Sequence, residues 1–159
     1  MKKIFYFITI LVILLYSNAY AMDNNQLLDM RNKFFDESKD IKALLGSSKN
    51  VVLLNNMWDA CIVTMTQLDA YFFMMGIFDA VNKDKWNEEA VTYLELWLTK
   101  IKSTDEVNLK SLGLFPPDLE AGVLRHAQKL EGYFTDLNGM IDENLSTISK
   151  LKTSVKQNK

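Results

Sequence analysis

One histidine and one cysteine limit the chemistry open to this 159-residue chain. Nucleophilic catalysis needs a Ser, Thr or Cys activated by a base. With His126 the only imidazole and no G-x-S-x-G motif, that arrangement is absent. Cys61 lies in an apolar helical pattern with no cationic neighbours, so it reads as a small buried hydrophobe rather than a reactive thiol. A single cysteine excludes an internal disulfide, a C-x-x-C haem attachment and a multi-thiolate zinc site. A di-iron bundle needs Glu-x-x-His on two helices, whereas Glu120 and His126 in "LEAGVLRHA" are six residues apart. "DEVN" lacks the spacing of a calcium loop. The adjacent acids Glu88-Glu89 and Asp142-Glu143 belong to solvated or terminal helix faces, not to a glycosidase pair. Asp59 and Asp69 are about 15 Å apart along a helix, too far to act together. No catalytic residue, metal or cofactor is expected, and the chain reads as a non-enzyme.

One alternative keeps a cofactor. Four-helix b-type cytochromes hold haem iron between a Met and a His on different helices. Met30 is about 22 Å from the bundle top and His126 about 12 Å, so that pair misses. Met57, about 15 Å down the second helix, matches better. Met57 and His126 are thus the candidate axial pair of a haem- or small-apolar-ligand site between helices two and four, near Cys61 and Met65. The competing expectation is that Met57 fills core space and that His126, just before a seam position, is a partly exposed structural residue.

Two prolines, six glycines and long runs of helix formers predict an all-α protein. Helix one is expected over Asn24–Leu45, with Leu27, Met30, Phe34, Ile41 and Leu45 inside and Gly46 as its stop. Ser47 or Ser48 is expected to cap helix two, which runs to Val81 with Leu54, Met57, Cys61, Met65, Leu68, Phe72 and Met75 inward. Asn82-Lys83-Asp84 makes a turn, and Asp84 caps helix three, whose stripe reads Trp86, Ala90, Tyr93, Trp97 and Ile101. A short extra helix follows, capped by Thr104 and closed by Gly113. Pro116-Pro117 then opens the last helix. That helix has the clearest pattern: Val123, Ala127, Leu130, Phe134, Leu137, Ile141, Asn144, Ile148, Leu151 and Val155, stepped four and three. The seam keeps register through Asn138-Gly139, which favours one long helix. The fold expected is an antiparallel up-down four-helix bundle with a short extra helix before the last long one.

The opening "MKKIFYFITILVILLYSNAYA" has a positive start, an apolar run over Ile4–Tyr16 and a small-x-small end at Ala19–Ala21. It reads as a cleavable secretory signal over 1–21, leaving a single helical domain over 22–159 with no stable membrane span. A periplasmic or secreted location in a bacterial envelope follows. Of 18 basic residues, loss of Lys2 and Lys3 leaves 16 against 20 acidic ones, a formal charge of −4. With no concentrated basic stripe, nucleic acid is a poor partner.

What remains is "AYFFMMGIF", Ala70–Phe78, nine residues with no charged side chain. The outer face of helix two reads Asn55, Asp59, Thr66 and Asp69, then turns apolar at Ala70, Phe73, Met74 and Ile77. Helix two, about 50 Å long, is expected to outrun helix one at about 33 Å, leaving its lower end short of neighbours. Its cover would be the chain start Met22–Leu28, another envelope protein, a second copy in a homodimer, or an apolar ligand. The expectation is a protein-binding module that docks through Ala70, Phe73, Met74 and Ile77.

Overall fold

The computed structural model describes residues 24–81, 88–116 and 118–157. The expected leader, the cap Asp84 and Trp86 lie outside the described residues. Four α-helices are formed by the described residues: α1 (Asn24–Leu44), α2 (Val51–Val81), α3 (Glu88–Leu112) and α4 (Ala121–Gln157). No strand occurs among the described residues.

The helices close a four-sided bundle. Helix α1 packs on α2, α2 on α3, α3 on α4 and α4 on α1, while α2 and α4 also touch across the diagonal. Cross-contacts show that neighbours run in opposite senses. Arg31 bonds to Asp69 while Lys42 lies over the Trp58 ring, across α1 and α2. Thr64 reaches Asp105, and Trp97 reaches Gln67, across α2 and α3. Lys102 bonds to Asp142 and Lys152 to Glu95, across α3 and α4. Phe34 meets the Phe134 ring at 4.9 Å, and Glu37 meets His126, across α1 and α4.

Each helix buries a seam stepped by three and four residues, the spacing that lets side chains of near-parallel helices interlock. On α1 it is Leu27, Met30, Phe34, Glu37 and Ile41. On α2 it is Leu54, Met57, Cys61, Thr64, Leu68, Tyr71 and Met75. On α3 it is Val91, Leu94, Leu98, Ile101 and Asp105. On α4 the expected seam is buried from Val123 to Ile148.

Several local expectations are corrected. The inward aromatic on α2 is Tyr71, not Phe72, which is half-buried. The α3 stripe is rotated, so Tyr93 faces solvent and Leu94 and Leu98 take the core. Trp97 sits half-buried at the boundary because its indole N–H needs an acceptor, which the Gln67 carbonyl provides at 2.9 Å. The extra helix merges into α3. Thr104 does not cap a new helix, since its hydroxyl donates to the Lys100 carbonyl one turn back, and the ladder continues to Leu112. Gly113 closes it as expected, donating to the Leu109 carbonyl.

Helix α2 starts three residues later than Ser48, because the first carbonyl in its ladder is that of Asn50. Ser48 instead braces the turn, accepting from the Asn50 N–H and donating to Glu120. The last helix begins at Ala121, beyond the prolines, with the Glu120 carbonyl accepting from the Leu124 N–H. The Glu120 carboxylate also accepts from the Lys49 N–H at 2.9 Å. That bond, followed by the one from Ser48, holds its pKa below the ordinary value. One carboxylate therefore ties the α1–α2 turn to the start of α4. Helix α4 is continuous through Asn138-Gly139.

Candidate functional site

Helix α2 has no Lys or Arg in its 31 residues, and its three charges are Asp59, Asp69 and Asp79. From Val51 to Ala80 it is long and apolar enough to cross a membrane by length and composition, yet 33% of its most apolar stretch is buried in the bundle. So apolar a helix cannot hide every side against two flanking neighbours. The surplus faces outward as Val52, Val63, Phe73 and Ile77, with Phe73 70% exposed and Ile77 43%. Ala70 and Met74 are half-buried beside them, and Asn55, Asp59, Thr66 and Asp69 are exposed as their types require.

The openness of Phe73 does not come from an overhang. Arg31 donates to both Asp69 carboxylate oxygens at 2.9 and 3.0 Å, which fixes the α1–α2 register. The seven residues before Arg31 carry α1 about 10 Å further, alongside Phe73. Helix α2 does outrun α1, since its residues beyond Asp69 run about 18 Å, but α1 reaches the level of Phe73, which is open because of the side of α2 it occupies. Residues 24–28 do not cover it either. Leu27 enters the core, while Leu28 stays 47% exposed at the level of Phe73 and extends the apolar surface onto α1.

Inside the bundle, His126 departs from expectation. It is buried, with Nδ1 2.5 Å from Glu37 Oε1, and the Lys129 ammonium lies 2.5 Å from Glu37 Oε2. Hydrogen bonding to Glu37 raises the Lys129 pKa, and Lys129 carries the cluster from the core out to solvent. Glu37 itself is fully buried, which is sustainable only because both its oxygens face cationic or N–H groups. Met57 packs in the central core on α2, while His126 is bonded across the α1–α4 seam.

Cys61 is buried, and burial with the nearby Glu37 charge pushes its thiol up to about 12, so it is no thiolate at neutral pH. Burial likewise raises the Tyr71 phenol. Asp105 is fully buried on α3, where the Thr64 hydroxyl donates to its Oδ1 at 3.3 Å. Burial pushes Asp105 up to about 8, against the opposing pull of Thr64. Among the described residues no group of three or more His, Cys, Asp or Glu gathers to hold a metal.

Residue-type reasoning missed Glu37, Thr64 and Asp105. Each lies on its helix's three-four seam, so extending the seam arithmetic through polar residues would have found all three. No protein-family model, curated protein or solved structure matches this chain.

Proposed function

We propose that the protein is a non-catalytic interaction module, exported to the bacterial envelope or beyond, that docks another protein or a second copy on the outward face of α2. Phe73 and Ile77 are the centre of that surface, with Ala70 and Met74 at its edge. The observation carrying this reading is the 70% exposure of Phe73 within a cluster of apolar side chains on an otherwise folded bundle. Covering these side chains contributes roughly 25 cal/mol per Å² of apolar area, enough to retain a partner after association costs are met. The non-catalytic part is supported by burial of the two side chains that would have to react: His126 is enclosed, and burial pushes the Cys61 thiol up to about 12.

Light scattering coupled to size-exclusion, with pull-down of interacting proteins, tests the reading. Phe73→Asp and Ile77→Asp should abolish the self-association or capture shown by the wild-type chain while leaving its helicity unchanged. Unaltered association in both variants contradicts the proposal.

A further inference from the structure

The outward face of α2 carries a second three-four seam. Val52, Asn56, Asp59, Val63, Thr66, Ala70, Phe73 and Ile77 are spaced 4-3-4-3-4-3-4, and all are exposed except half-buried Ala70. The inner seam of the same helix, from Leu54 to Met75, already interlocks with three neighbouring helices. A fifth helix is therefore the shape that this outer row of knobs and holes fits, at the shallow crossing angle the spacing sets.

Charge and register choose among helices. The one charged member of the outer seam is Asp59, and α2 supplies no cation to offset it. Lys42, set beside it on α1, lies over the ring of the adjacent Trp58. A second copy of α2 is a poor occupant. Paired in parallel, it sets Asp59 against Asp59. Paired antiparallel along the full seam, it sets Phe73 opposite Asn56 and Ala70 opposite Asp59, so apolar groups meet polar ones.

Resting on the docking reading above, we infer that the outer seam of α2 takes an amphipathic helix of a different protein, with a heptad apolar stripe and a Lys or Arg opposite Asp59. The partner's apolar residues cover Val63, Phe73 and Ile77, and its cation answers Asp59 within a contact that water largely leaves.

Two synthetic four-heptad peptides test this, identical except for Lys or Glu flanking the apolar stripe. Their affinity for the full chain is read by fluorescence anisotropy at low and at physiological salt. The Lys peptide should bind about tenfold more tightly than the Glu peptide, and Phe73→Asp should remove the binding. Asp59→Lys should reverse the preference, which a merely greasy contact would not do. Equal binding of both peptides, or a preference untouched by Asp59→Lys, overturns the basic-helix inference but leaves the docking surface standing. Two other results also overturn it while keeping that surface: a dimer broken by Phe73→Asp, or Phe73-dependent binding to phosphatidylcholine–phosphatidylglycerol vesicles. If no peptide or vesicle binds and the chain does not self-associate, both readings fall.

Discussion

Asp105 is the residue that should govern how stability responds to pH. Its carboxyl titrates at about 8 in the folded protein, against 3.8 as the ordinary value, because it is buried. Between those values the folded state holds a proton that the unfolded chain has released. Stability from this group is therefore complete below about pH 4, falls as pH rises through the window, and levels off above about pH 8. Asp105→Asn keeps an oxygen for Thr64 and removes the titration. The variant is expected to unfold at a higher temperature than wild type at pH 8, and the difference should shrink toward pH 4. Thermal melts at several pH values check this, and a constant difference would contradict it. Glu37 is buried as well, but His126 and Lys129 each contact one of its oxygens. Glu37→Ala strands both partners and should cost about 3–5 kcal/mol, read as a lower urea midpoint.

At the scale of elements, the bundle rests on four seams that each tolerate one polar member: Glu37, Thr64, Asp105 and Asn144. Asn144 satisfies itself by donating to the Met140 carbonyl one turn back. The seams were legible wherever they were apolar. The whole α4 pattern through Ile148 could be read from spacing alone, as could the inner face of α2 apart from Thr64 and Tyr71. Where two apolar stripes overlap, as on α3, spacing cannot say which is inward. There the indole N–H of Trp97 decided, by seeking the Gln67 carbonyl at the boundary. Helix ends were less legible, because long-range bonds set them: Glu120 fastens Ser48 and Lys49 from 72 and 71 residues away. Continuity of α4 across Gly139 was readable because the seam never slips there. No neighbour lies within 4 Å of a Cβ built at Gly139, and its φ is not positive. Gly139→Ala should therefore stabilise the protein by about 0.5–1 kcal/mol, raising its melting temperature by a few degrees in calorimetry. A fall would show that α4 bends at that point.

For the whole molecule, the apolar composition of α2 exceeds what two flanking helices can cover, and the excess is displayed on one side. The residues of that surface were legible in the sequence, but the reason for their exposure was not. Helix lengths suggested an overhang, which α2 does have at its end, whereas the Arg31–Asp69 pair shows α1 reaching the level of Phe73. Leu28 joined the surface only once that register was known. Because Phe73 is largely solvated already, Phe73→Asp should leave the melting temperature within a few degrees of wild type, whereas Leu68→Asp, a fully buried seam residue, should prevent folding. The most direct test of the docking surface is photocrosslinking in cells that make the full chain, with a benzoylphenylalanine placed at Phe73 or, as a control, at Tyr93, an exposed aromatic on α3. Irradiation should give a discrete adduct to a second polypeptide from position 73 and none from position 93. No adduct from position 73, or equal adducts from both positions, would contradict a docking role for the outward face of α2.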